Sequence, residues 1–328
     1  MKHQSTNLKR SLLLWLTCAF VVPCLVPLVL RAAPQAASKK PATSQAKPKA
    51  FATPQEVAEA LVQAAEQYDV AALEAILGPD GHDIIMTGEP VRDKEMATQF
   101  AAQARAKMGV SIDPKNKNRA ILSVGNEDWP LPVPIVKLGR EWSFDAKAGR
   151  QELLYRRIGR NELDAIQVCR GFVEAQHEYA LEKRPGSAVN QYAQRIISTP
   201  GKQDGLAWQG PDGTWGGPVG ETIARVIAQG YSNTGRSQPF HGYYFKVLKG
   251  QGPAAPLGQM DYLVQGVMIG GFALIAAPAQ YRITGVKTFM VSQDGVVYQK
   301  DLGPDTLEVA KKIERFNPDR TWTPVGDQ

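Results

Sequence analysis

The sequence predicts an α+β protein in two domains, with the helical material concentrated early and the strands late. Three observations predict it. A mid-chain stretch, 158–183, carries apolar residues at helical spacing. Two strongly capped helix starts precede it, and alternating or continuous apolar runs bounded by Gly, Pro and Asp follow it.

The mid-chain stretch reads IGRNELDAIQVCRGFVEAQHEYALEK. Wound at 100° per residue, Ala165, Ile166, Val168, Cys169, Phe172, Val173, Ala175 and Tyr179 fall on an apolar arc of about 180°. Charged residues fill the rest, and Glu162, Leu163, Gln176 and Leu181 are exceptions. An arc that broad predicts a helix packed on a sheet.

Ahead of it, residues 1–33 hold Lys2, Lys9 and Arg10 and then an uncharged apolar run, 11–30. That is the pattern of a signal peptide, and the run is also long enough for a retained membrane anchor. Residues 34–52 are rich in Pro, Ala, Ser and Lys and form a spacer unable to bury a core. The first domain is then 53–150 and the second 151–325. Thr53-Pro54-Gln55-Glu56 opens a helix with a capping box, Asp69 caps a second that Gly78-Pro79 closes, and a third begins near Pro90. Strands are expected at 120–124, 129–136 and 141–145. Three prolines confine the middle one to an edge or a polyproline stretch.

After the long helix, 185–220 reads as a Gly-rich loop with Trp208 and Trp215, followed by a short helix at 220–231. Strands are expected at 243–249, 262–268, 271–277, 286–292 and 296–300. The last two flank a tight Gln293-Asp294-Gly295 turn. A final helix is expected at 304–316.

Composition excludes several function classes. The net charge of +6 comes from eight lysines and arginines in residues 1–50, a stretch without a single acid. The remainder holds 30 basic and 32 acidic residues, so the net charge is no argument for nucleic-acid binding by a domain. Cys169 alone falls outside the leader, on the apolar face of the helix, and is expected as a small buried hydrophobe. No phosphate-loop, nucleophile-elbow, zinc-helix or paired-cysteine motif is present. Gly250-Gln251-Gly252 starts a dinucleotide-like pattern that Pro253 and Pro256 break. No cofactor and no metal is implied. Asp80-Gly81-His82-Asp83 reads as a polar turn, and His177 as a solvated residue.

Candidate binding residues are Asp204, Trp208, Trp215, His241 and Tyr243, which gather a loop and the start of a strand into one expected cleft. A second candidate is a catalytic pocket in the first domain, for which Asp83, Glu127 and Asp128 are the available carboxylates.

Residues NELDAIQVCRGFVEAQHEYA, YYFKVL, FALIAAPAQY and KTFMVSQDGVVYQKDL resemble the globular head of type IV pilins and pseudopilins. That resemblance implies a helix laid across an antiparallel sheet. AAEQYDVAALEAIL and EWSFD resemble cone-shaped domains of the cystatin or nuclear-transport-factor type, which supply pockets. Taken whole, 51–325 resembles a family of bacterial exported proteins described only as a domain of unknown function, most specifically in IGRNELDAIQVCRGFVEAQHEYA, STPGKQDGLAW and HGYYF. The expectation is a non-catalytic binding or assembly module of the periplasm or cell envelope. Its expected partner is another envelope protein or a polysaccharide. The alternative is a small-molecule-binding or hydrolytic enzyme using the pocket of the first domain. The membrane would be met only through residues 11–30, if that run is retained.

Overall fold

The structure, a computed structural model, describes residues 47–326 apart from 87, 89 and 221–238. The leader, most of the spacer and the helix expected at 220–231 lie outside the described residues.

The chain begins with local signals that close as written. Helix α1 (Pro54–Gln67) starts where Thr53 Oγ1 accepts the Glu56 amide at 3.2 Å. The Glu56 carboxylate reaches back to the Ala52 amide at 3.1 Å, one residue beyond the usual box. Helix α2 (Val70–Leu77) is capped by Asp69, whose carboxylate accepts the Ala72 amide at 3.0 Å. A 3-10 turn (Pro79–Gly81) and the short α3 (His82–Ile85) follow, and then α4 (Pro90–Ala106).

The first sheet holds β1 (Met108–Asp113), β2 (Asn116–Val124), β3 (Trp129–Pro130), β4 (Ile135–Leu138) and β5 (Glu141–Phe144). Its order is β1-β2-β4-β5, with β3 beside β2. The expected strand at 129–136 is therefore two pieces. Pro132 and Pro134 lie in the gap between them, because proline offers no amide to a ladder. Strand β1 was not expected. The apolar cluster of this half includes Val57, Leu61, Leu122, Ile135 and Phe144.

Helix α5 (Ala146–Ala180) is 35 residues long and starts twelve residues before the expected 158–183. Asp145 caps it by accepting the Ala148 amide at 3.0 Å. Its first three turns bury little besides Ala146 and Gly149, so they carry no apolar period to read. Gly149 is required by close approach. A β-carbon there would stand 2.7 Å from Val133 Cγ2. A domain boundary at 150 falls inside this helix. The described residues belong to one compact unit, Ala46–Gln328, with two apolar clusters.

The second half contains β6 (Arg195–Ile197), β7 (Gly205–Gln209) and β8 (Trp215–Gly216), a three-stranded sheet where a loop was expected. Then come β9 (Tyr243–Leu248), β10 (Gly250–Gln251), β11 (Met260–Asp261), β12 (Leu263–Val264), β13 (Val267–Met268), β14 (Ala273–Pro278), β15 (Lys287–Ser292), β16 (Tyr298–Asp301), helix α6 (Thr306–Lys312) and β17 (Thr323–Pro324). The run expected as one strand at 262–268 is a hairpin of β12 and β13. Gln265 (φ 51°) and Gly266 (φ 81°) turn it in the left-handed region that such hairpins need.

The main sheet runs β17-β16-β15-β14-β9, antiparallel throughout. Helix α5 packs on β14 and β15, the arrangement its broad apolar arc predicted. Strand β14 is buried at all six positions, which is why it reads as a continuous apolar run and not an alternating one. Cys169 is fully buried between helix and sheet, and burial pushes its thiol up to about 12. Among the described residues no helix is long and apolar enough to cross a membrane.

Candidate binding cleft

The last turn of α5 delivers Tyr179, 1% exposed, whose hydroxyl donates to the Gln203 carbonyl. The chain then breaks at Arg184-Pro185, and Arg184 folds back on the helix end. Its guanidinium donates to the Tyr179 carbonyl at 2.7 Å and lies 4.3 Å over the Tyr179 ring and 5.3 Å over the Trp208 ring. A cation between two π faces with little access to water is held far better than one on the surface. Asn190 caps the helix from outside, donating to the Ala180 and Leu181 carbonyls at 2.8 and 3.1 Å.

The following segment is stitched down by Gln176. Its amide nitrogen donates to the Ala193 carbonyl and its amide oxygen accepts the Ala193 amide, both at 2.8 Å. Tyr192 donates its backbone amide to Met268 at 2.8 Å. With both ends fixed, the loop 185–194 walls a cleft of about 450 Å³ together with Tyr179, Asp204, Gly266 and Val267. Val189 is 45% exposed on this wall. Gln191 lines it with its side-chain amide making no hydrogen bond among the described residues.

Asp204 is the one predicted binding residue that lines this cleft. Its carboxylate accepts the Thr199 amide at 2.7 Å and the Thr199 hydroxyl at 2.8 Å, with Arg195 Nε at 3.4 Å. Partial burial works against ionisation, yet the Thr199 hydrogen bonds and Arg195 outweigh it and hold the carboxyl below its ordinary 3.8. A carboxylate with a lowered pKa stabilises the fold above its unfolded value. That contribution is lost as pH falls through the lowered value. Acid titration followed by Trp208 fluorescence is therefore expected to show a local transition below pH 3.8. Asp204→Asn is expected to remove that transition and to cost about 1 kcal/mol at neutral pH. A transition that survives in the variant would assign it to another group.

The other predicted residues lie elsewhere. Trp208 is on β7 behind the cleft, where it stacks on Arg184 and lies flat against β8. A β-carbon at Gly216 would sit 2.8 Å from its indole nitrogen. Trp215 is half-buried on β8, opposite Gln209. Both tryptophans brace the small sheet. Tyr243, 1% exposed, is a core residue whose hydroxyl donates to the Lys287 carbonyl at 2.9 Å, so it presents nothing to a partner.

His241 lies in the turn before β9 with φ 48° and pairs its Nδ1 with Asp164 Oδ2 at 2.7 Å. Asp164 is 15 residues before Tyr179 on α5, about 22 Å along the axis. The single expected cleft is thus two places. The neighbours of Asp164 fix this second place to the sheet: Asn161 donates to the Thr284 carbonyl, and Glu162 accepts the Val286 and Lys287 amides at 2.8 and 3.0 Å. A carboxylate on Nδ1 orders an imidazole as in acid–base dyads. No hydroxyl or thiol is hydrogen-bonded to His241 among the described residues.

Asp83, Glu127 and Asp128 do not line the open cleft that this half carries at Tyr68, Pro90, Val91, Lys94 and Glu95. Asp83 pairs with Arg150 at 3.0 Å, and the Arg150 hydrogen bond lowers its pKa at the surface. Asp128 pairs with Lys107 at 2.6 Å, and Glu127 is exposed. His82 pairs with Glu74 at 2.8 Å. Among the described residues no three His, Cys, Asp or Glu side chains gather as a metal would need.

The cleft residues that sequence reading passed over are Val189, Gln191 and Tyr192. One signal for them was present. Gln176 is a polar residue on the apolar arc, and a buried amide there requires a partner strand or loop.

The family described as "Protein of unknown function (DUF2950)" matches residues 48–325. No curated protein and no solved structure matches the chain, so the pilin-head and cone-domain resemblances have no structural relative beside them.

Proposed function

We propose that this chain, which belongs to the DUF2950 family, is a non-catalytic binding module of the cell envelope that holds a segment of polysaccharide in the cleft beside Tyr192 and Asp204. One observation carries the reading, the cleft itself. Its volume of about 450 Å³ lies in the range of small-ligand sites. Its wall mixes an exposed Val189, a half-buried Tyr192 ring and the unspent amide of Gln191. Sugars offer hydroxyls around an apolar ring face, and a wall of that composition suits both. An envelope location is supported by the basic start and apolar run of residues 1–33 and by the spacer behind them.

Titration calorimetry with purified envelope polysaccharide tests it. Val189→Asp and Gln191→Ala are each expected to weaken binding about tenfold, the scale of one lost contact of about 1–2 kcal/mol. Both positions are on the surface of the loop, so thermal stability is expected to stay unchanged. Equal affinity in both variants removes the cleft from consideration. Binding of an envelope protein fragment without any saccharide binding moves the ligand class to peptide.

A further inference from the structure

Helix α5 has a second face that its own packing leaves unused. Leu153, Arg156, Arg157, Arg160 and Leu163 recur at spacings of three and four and share one side over about 15 Å. Ile158, Ala165 and Cys169 are buried on the other side. Leu153 is 38% exposed and Leu163 47%. Arg157 and Arg160 are exposed and make no ion pair or hydrogen bond among the described residues. Arg156 lies 5.7 Å over the ring of Trp129, itself 57% exposed, and is held there by Glu152 at 2.8 Å and the Pro130 carbonyl at 2.9 Å. The face thus carries three guanidinium groups against the one carboxylate of Glu152. Asp164, the next acid along it, is engaged by His241.

We propose that this face rests on an anionic bilayer surface. Free guanidinium groups match phosphate in geometry and charge. A soluble polyanion would satisfy the arginines but would leave Leu153, Leu163 and the Trp129 indole in water. The headgroup boundary takes both at once, since indoles and aliphatic side chains settle there beside cations. The sequence also supplies an uncharged apolar run, 11–30, joined to the folded part by the spacer 34–52.

The test is arginine footprinting with phenylglyoxal on the full chain, read by mass spectrometry. The full chain is compared on phosphatidylglycerol vesicles, on phosphatidylcholine vesicles and with soluble polyphosphate. Loss of modification at Arg157 and Arg160 is expected on phosphatidylglycerol, with the exposed Arg320 still modified as in solution. The double change Arg157→Glu with Arg160→Glu is expected to lower brominated-lipid quenching to the level seen after Trp129→Phe, because the indole leaves the surface. Modification that continues unchanged on phosphatidylglycerol overturns the proposal. So does equal protection on phosphatidylcholine, which would need no charge. Protection by polyphosphate with none by vesicles overturns it in favour of a soluble anionic polymer.

Discussion

Gln176→Leu is expected to destabilise the protein by about 3 kcal/mol, because it leaves two buried backbone groups without partners at about 1–3 kcal/mol each, partly offset by the apolar gain. Gln176 is 0% exposed, as is Ala193, whose amide and carbonyl it serves. The pair imitates one rung of a sheet, with a side-chain amide standing in for a strand. Leucine fills similar space, so packing alone would be tolerated. What is lost is the anchor of the loop 185–194 to the helix end. The variant is therefore expected to lose hydrogen-exchange protection at the Ala193 amide and to weaken any ligand of the cleft. Urea unfolding measures the first effect and calorimetry the second. A variant within 1 kcal/mol of the parent would mean that the Ala193 groups find other partners.

The same residue marks where sequence reading stops. Periodicity located the buried face of α5 because Ala165, Cys169, Phe172 and Tyr179 repeat on it. It also flagged Gln176 as an exception without saying what the exception was for. The strands of the main sheet were legible because β14 is an apolar run, and β9 and β15 are rich in aromatic and β-branched residues, each between turns. The caps of α1 and α2 were legible because they are local chemistry. The early turns of α5 were not, since a helix that buries only alanine and glycine leaves no stripe. The small sheet of β6, β7 and β8 was hidden as well. Its strands have two to five residues, and the pairing of β6 with β7 is parallel, so it depends on contacts no turn motif announces. Of the site, Asp204 was legible as a polar residue beside tryptophans. Grouping it with His241 and Tyr243 failed, because nearness to a strand end in sequence does not place a side chain on the same side of the fold.

Tyr243→Ala is expected to cost about 4 kcal/mol, the range for removing a buried aromatic ring. The ring lies 5.9 Å from that of Phe289 and is 1% exposed at the start of β9. Its hydroxyl donates to the Lys287 carbonyl, while the Lys287 amide donates to Glu162 on α5. The start of β15 is therefore gripped from two sides, by the β9 tyrosine and by the helix carboxylate. Tyr243→Phe keeps the ring and leaves only the Lys287 carbonyl unserved, for about 1 kcal/mol. The two variants separate cavity from hydrogen bond when compared by urea unfolding. Alkaline pH gives a third reading. Burial, and after it the Glu162 charge, push the Tyr243 hydroxyl far above its ordinary 10.0. The unfolded chain then gives up this proton first, so the associated stability is fully present below pH 10 and is lost as pH rises beyond it. Tyr262, raised chiefly by burial, adds a second contribution of the same sign. Tyr243→Phe is thus expected to unfold less steeply between pH 10 and 12 than the parent, although it is the less stable protein at pH 7. Parallel stability curves for the two over that interval would mean that the phenol of Tyr243 meets solvent, and with it that the grip on β15 is looser than the hydrogen bonds imply.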